Sequence, residues 1–359
     1  MKLQLYILRQ LSFALLLAVS GILFVALPGI AVSTVQRMPF ADTHLLLRYL
    51  PLVLKTLAPY ALPICFLLAV VSTYGRLAAD REWTAIQMAG IHPWKMLLPG
   101  LVIALSLGGL TYWMVSTDLP NTKREQKQLL KDVATLSLKS LKPGRTTLQF
   151  RDFYLRARSR DPQNQNILYD VHIRKPDEES GENIDVFADK VYISTEGEWL
   201  VVRVYGGRTA SIKHGAQAFL DYAEYSLSLE QLVGGGGAVG NHPAYLTSKD
   251  IQAELKQGVD DRQRDTLLRF ELQYRMAMAS IYLVFLGIGA PTGVILRKGT
   301  QLGALAVAIG FGLLYYVLSV ELGRDIGRSG KVEPWVGAWF VPIVGSISAW
   351  IMMQRSLKR

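Results

Sequence analysis

The chain has 359 residues, half of them hydrophobic and 19 % charged, with a formal net charge of +10. That is too apolar for an ordinary soluble protein of this size. The single cysteine, Cys65, excludes a disulfide framework or a cysteine metal site within one chain. Nucleic acid is a poor match for the positive charge, because the basic residues are scattered and form no stripe interleaved with aromatics.

The apolar residues fall in runs. Residues 12–35, 57–74 and 96–117 carry no charge. Each is long enough for a helix to cross a hydrocarbon core roughly 30 Å thick at about 1.5 Å per residue. Prolines inside them, such as Pro28, Pro63 and Pro99, are tolerated in membranes because neighbouring helices re-satisfy the freed backbone groups. The first run is longer than the apolar part of a signal peptide, and no small-residue cleavage site follows it directly, so it reads as a retained helix.

Between the second and third runs lies a polar loop, residues 75–95, that predicts a short amphipathic helix over about 78–90. Asp80 and Glu82 fall in its first turn, where the helix dipole favours acids. Trp83 and Ile86 share a face, Gly90 is a natural C-terminal stop, and Pro93 begins the next element. A helix lying across the membrane face between two spans is a shape that a soluble motor can grip.

Residues 118–144 read as a helical extension of the third span, stopped by Pro143-Gly144. The period then changes from helical to alternating. Stretches 146–159, 167–175, 184–194, 199–205 and 218–229 are rich in β-branched and aromatic residues and are separated by polar turn clusters. They predict five or six antiparallel strands, a small sandwich or open barrel over 145–232. Residues 233–275 form a linker with four consecutive glycines from Gly234 to Gly237, a short helix over 249–257 capped by Ser248, and a charged helix from Arg262 into the fourth span. Charge-free runs at 276–296, 301–320 and 335–353 complete six spans, in two sets of three. Glu321 and Arg324 read as a local pair closing the fifth. With both termini cytoplasmic, short inner loops carry ten Lys and Arg against six outside, which favours that orientation.

No catalytic or metal site is visible. Gly327-Arg328-Ser329-Gly330-Lys331 imitates a phosphate-binding loop, but Asp325 stands where its first glycine is needed and Val332 replaces the Ser or Thr. The five histidines are far apart in sequence. Any energy for work must come from another protein.

Glu82 through Gln87-Met88-Ala89-Gly90, Glu271-Leu272 with Arg275, Gly289-Ala290-Pro291 with Gly293, Tyr315-Tyr316, and Pro334 with Gly337 and Trp339 occur in an order and spacing that resembles the LptF/LptG (YjgP/YjgQ) permease family. The resemblance implies a membrane α-helical fold of 3+3 spans with an inserted periplasmic β-jellyroll-like domain. It implies an ABC transporter subunit that extracts lipopolysaccharide from the inner membrane and passes it to a periplasmic bridge. The implied partners are an LptB-type ATPase dimer, a second LptF/LptG-type subunit and an LptC-type bridge protein. ATP and Mg would be used by the ATPase, with no cofactor in this chain. The loop would be a coupling helix, with Asp80, Arg81, Glu82, Trp83, Ile86 and Gly90 at the ATPase contact. Arg37, Arg48 and Lys55, near the outer ends of spans one and two, would meet lipid phosphates. The rival reading is a mechanotransmission subunit that works on periplasmic partners without moving lipid, though such chains usually have four spans.

Overall fold

In the computed structural model, residues 2–37, 43–139, 147–150, 153–164, 166–176, 183–196, 199–211, 217–228, 242–259, 261–296, 301–328, 330 and 332–357 are described. The chain divides into two compact units. Met1–Gly29, Val53–Lys123 and Pro243–Arg359 form one; Ile30–Leu52 and Arg124–His242 form the other.

The elements before the strands are α1 (Lys2–Arg37), α2 (Thr43–Ala79), α3 (Glu82–Met88), α4 (Pro93–Trp113), a π-helical turn (Met114–Asp118) and α5 (Leu119–Lys139). After the strands come α6 (Ser248–Gln257), α7 (Arg262–Ile295), α8 (Gln301–Val317), a second π-helical turn (Leu318–Leu322), α9 (Gly323–Arg328) and α10 (Pro334–Leu357). Six stretches are helical, long and apolar enough to cross a membrane: Lys2–Val35, His44–Ala79, Pro93–Leu129, Arg262–Ile295, Gly303–Arg328 and Pro334–Arg355.

α7 is the most enclosed of the six, and the apolar window of α1 is uncovered. Side chains such as Phe24 and Val25 stand fully outward on α1, a surface that lipid covers without cost. With little hydrophobic drive between helices in lipid, close packing and interhelical hydrogen bonds hold such a bundle. Phe66, Val70 and Tyr74 of α2, Met96 of α4 and Tyr282 and Phe285 of α7 share one core. Thr111 and Tyr282 share a hydrogen bond of 2.7 Å, Tyr74 donates to the Met96 carbonyl at 3.0 Å, and Tyr316 donates to the Tyr60 carbonyl at 2.8 Å. α9 and α10 meet through glycine: a Cβ on Gly337 would lie 2.5 Å from the Gly327 Cα.

Several boundaries differ from those expected. The loop helix is shorter than 78–90, because Ala78 and Ala79 end α2 and Asp80 lies in the turn. The cap of α6 is Thr247, one residue before Ser248. Its hydroxyl accepts from the Asp250 backbone N–H while the Asp250 carboxylate accepts from Thr247 N–H, a reciprocal capping box. The four glycines 234–237 lie outside the described residues.

In the second unit, β1 (Thr147–Phe150), β2 (Phe153–Arg160), β3 (Ile167–Pro176), β4 (Asn183–Glu196), β5 (Trp199–Ser211) and β6 (Gln217–Ser228) make one antiparallel sheet in consecutive order. The stretch expected as a single strand over 146–159 is two strands, β1 and β2, paired as a hairpin. The order is a meander; among the described strands there are no neighbours out of chain order, as a sandwich of crossed strands would have.

The sheet carries an unusual transverse line. Tyr169 pairs with Lys190 and Val171 with Ala188, so Asp170 faces Asp189. By the same count, Asp189 faces Gly206 and Gly206 faces Asp221. At this line the alternation of buried and exposed side chains slips by one residue. Buried positions run Leu168, Val171, Ile173 on β3 and Val186, Ala188, Val191 on β4, each with one three-residue step. Left-handed backbone at Asp170 (φ 50°) and Gly206 (φ 61°) accompanies the slip. Residues from both sides of the line still belong to one apolar cluster.

Candidate functional site: the loop helix and the charged span ends

α3 is built as a small platform. Its start follows Arg81, whose backbone is left-handed (φ 62°). Its end is a Schellman arrangement: Ile91 N–H donates to the Ile86 carbonyl and Gly90 N–H to the Gln87 carbonyl, with Gly90 at φ 78°. His92 then caps α4 by accepting from Trp94 N–H, with Pro93 as its first residue.

Trp83 is buried and stands edge-on to Tyr74, ring centroids 6.2 Å apart. Ile86 packs beside it against the same core. These two of the six expected contact residues therefore hold α3 to the spans. Asp80, Arg81 and Gly90 are exposed, and Glu82 is half-buried. Met88 is exposed too, at 85 %. It stands well away from Trp83 around the helix, and nothing in the sequence pattern singled it out. An adaptable, exposed apolar side chain suits a docking surface. Glu82 accepts a hydrogen bond from the Tyr6 hydroxyl.

The opposite ends of the spans are charged. Contacts bring residues 55–60 of α2, the π-helical turn after α4, the first part of α7 and α9 together. Lys55 meets Asp118 at 3.4 Å. Arg275, on α7, is 1 % exposed and uses its whole guanidinium. It donates to Glu271 at 3.3 Å, Ser248 Oγ at 2.9 Å, and the Pro243 and Leu246 carbonyls at 3.2 and 2.8 Å. Arg324 does not form the expected local pair with Glu321. It reaches Tyr60 and Tyr274, each at 3.4 Å, and lies 5.0 Å over the Tyr274 ring. The reason is geometric: the π-helical turn ahead of α9 shifts the helical register between these two residues. Lys123 has Glu271, Arg275, Arg324 and Arg328 as its electrostatic neighbours. Lys123 thus shares its surroundings with three guanidinium groups and one carboxylate. Charges within a span are expensive and mark functional sites.

In the other unit, Arg48 meets Glu125 at 3.4 Å, with both side chains exposed. Arg37 is the last residue of α1, and its side chain lies outside the described set. Of the three expected phosphate contacts, two are therefore already paired with carboxylates, an arrangement that an anion can displace because exposed pairs are weak. Lys123 and Arg324 were not singled out for an anion, since the groups around them come from distant parts of the sequence.

The signature residues share a pattern: they sit where helices touch. Glu271 pairs with Arg275, Tyr316 reaches Tyr60, and Trp339 donates to Gln273 at 2.9 Å. The family model of the lipopolysaccharide export system permeases LptF/LptG matches residues 5–355. The chain belongs to this family, and is a multi-pass protein of the inner membrane. A stretch of 69 residues is 38 % identical to an uncharacterized protein of Rickettsia prowazekii, and spans 19 % of each chain.

Proposed function

We propose that the chain is the membrane subunit of an ABC transporter that extracts lipopolysaccharide from the inner membrane and hands it to a periplasmic bridge protein. The observation that carries the reading is α3. It is fixed to the bundle by Trp83 and presents Met88 outward beside a half-buried Glu82, as a grip for an LptB-type ATPase would. ATP and Mg act in that partner, and a second LptF/LptG-type subunit completes the membrane part. Both termini and α3 face the cytoplasm; the sheet is periplasmic.

At the outer face, Lys55, Lys123 and Arg324 hold phosphates of the lipid, and Arg37 and Arg48, which belong to the other unit, are separate candidates for the same chemistry. The excess of cations around Lys123 supports this, because a desolvated positive cluster attracts an anion more strongly than an exposed one. The acyl chains follow the apolar face of the sheet, which is the sense in which the domain is jellyroll-like. Closure of the ATPase dimer moves α3, and the spans transmit that movement to the lipid site.

Co-expression with a candidate LptB-type ATPase and the second subunit tests the reading. Met88→Asp changes an exposed side chain and leaves the melting temperature of the isolated chain unaltered, whereas Glu82→Arg changes a half-buried one and costs no more than the Tyr6 hydrogen bond, about 1.5 kcal/mol. Each is expected to remove the ATPase from the purified complex and to abolish lipid-stimulated ATP hydrolysis. Retention of both by the two variants would overturn the grip, and failure of the unaltered chain to recruit any such ATPase would overturn the transporter.

A further inference from the structure

The exposed side of the sheet holds a hollow of about 500 Å³ at the transverse line. It is lined by Asp170, His172, Phe187, Asp189, Gly206, Gly207, Arg208, Phe219 and Asp221, with backbone from Val171 and Ala188. Its floor is the pair Gly206-Gly207 in the middle of β5. Adjacent glycines weaken a strand, and a strand glycine commonly marks a place where something approaches the backbone closely. Here they remove the side chains that would fill the space between β4 and β6. A Cβ on Gly206 would come within 3.0 Å of an Asp189 carboxylate oxygen, and one on Gly207 within 3.0 Å of the Phe187 carbonyl.

Next to this floor, two phenyl rings stand on either side of Arg208. Register places Phe187 beside Arg208 and Arg208 beside Phe219, in one row across β4, β5 and β6. Phe219 is 79 % exposed and Phe187 49 % exposed. Strands two apart are separated by about 9.6 Å, twice the usual spacing, and over Gly206, where β5 carries no side chain, that width is open between Asp189 and Asp221. His172 stacks on Phe187 with centroids 4.4 Å apart and rings 2° from parallel, which fixes that ring's orientation. His172 is itself held by Asp185 at 2.9 Å.

Three of the four charged groups have no partner among the described residues. Asp170 is engaged by Arg158 at 3.3 Å, whereas Asp189, Asp221 and Arg208 form no hydrogen bond or ion pair among the described residues. Two carboxylates against one guanidinium leave the hollow weakly negative, so it disfavours phosphate. Among the described residues, no group of three or more acids, histidines or cysteines is placed to hold a metal ion. Flat apolar faces beside unpaired carboxylates and a guanidinium suit a molecule with apolar C–H faces and a ring of hydroxyls.

We infer that this hollow is a saccharide site that takes an uncharged or amino-bearing pyranose. The ring lies over Gly206 with a C–H face against Phe187 or Phe219, and its hydroxyls donate to Asp189 and Asp221 and accept from Arg208. The source is either the sugar portion of a glycolipid or a free glycan. Only the first choice rests on the lipid-transport reading, so the two stand or fall separately.

The test uses the full chain in a detergent without a sugar headgroup, with saturation-transfer NMR as readout. Methyl α-D-glucopyranoside and methyl α-D-glucosaminide are the probes, glucose 6-phosphate is the anionic control, and lysine methyl ester is the cationic one. Saturation transfer is expected to both glycosides, with affinity falling at least about tenfold in Phe219→Ala and in Asp221→Asn. Both side chains are exposed, so the melting temperature stays unchanged. Silence toward both glycosides, equal binding by the two variants, or tighter binding of the phosphate or of the lysine ester would each overturn the site. Displacement of the bound glycoside by the intact glycolipid would identify the lipid as the source. Displacement only by soluble glycan would keep the site and separate it from lipid transport.

Discussion

The Tyr6 hydroxyl stands 3.2 Å from both carboxylate oxygens of Glu82, and so ties the start of the first span to the first residue of the loop helix 76 residues later. Glu82 is only half-buried, and without this bond its side chain would sample several rotamers. Tyr6→Phe removes the bond and keeps the ring. The expected outcome is a stability loss of no more than about 1.5 kcal/mol, with lipid-stimulated ATP hydrolysis in the full complex reduced but present. Glu82→Arg abolishes it. Unchanged hydrolysis in Tyr6→Phe would mean that Glu82 needs no such orientation.

Arg275 satisfies two backbone carbonyls, a hydroxyl and a carboxylate at once. Arg275→Met leaves Glu271 without its partner and strands the Pro243 and Leu246 carbonyls, a change expected to cost about 3–5 kcal/mol. Arg275→Lys retains the charge and three donors, but loses the planar fork, and falls between. Protease sensitivity within residues 242–259 is the specific readout, because those residues are released first.

Gly337 is a second weak point. With a methyl group there only 2.5 Å from Gly327 Cα, α9 and α10 must move apart. Gly337→Ala is expected to destabilise by about 1–3 kcal/mol despite the better helix propensity of alanine. Gly310→Ala, which meets nothing within 4 Å, is the matched control and should be neutral or slightly stabilising. Equal melting temperatures for the two variants would contradict the packing.

Asp185 gives the sheet a pH signature. The Arg174 guanidinium grips it through two hydrogen bonds, at 2.8 and 3.0 Å, and His172 adds a third. Arg174 foremost, against the opposing effect of burial, holds this carboxyl below the ordinary carboxylate range. A depressed value in the folded state means that stabilisation is complete above about pH 4, the unfolded value. It is lost as pH falls through the lower folded value. The melting temperature of the strand signal in the amide I infrared band should therefore drop as pH falls below about 4, and this step should be absent in Asp185→Asn.

The spans were legible because a charge-free run of this length suits little except a hydrocarbon core. The long helix α7 and the stop at Gly90 were legible for similarly local reasons. Trp83 and Ile86 carried their own signal: apolar residues three apart on a short helix between spans mark the face that packs inward. Gly206-Gly207 misled, since β5 was expected to end at Tyr205 and continues to Ser211. Glycine in a strand looks like an end until its neighbours on β4 and β6 are known. The bonds of Arg275 join residues 27 to 32 positions apart, and the register shift at the π-helical turn before Arg324 leaves no pattern in sequence. Both depend on where helices meet rather than on which residues form them.

The line through Asp170, Asp189, Gly206 and Asp221 constrains how such a domain can change over generations. Adjacent strands turn over their inward and outward positions at the same level. Removing one residue from a single strand would move its turnover point while its neighbours kept theirs. The apolar side chains beyond it would then face the wrong way along half that strand. Changes of length are therefore confined to the hairpin ends, and the strands can drift in residue type but must keep count with one another.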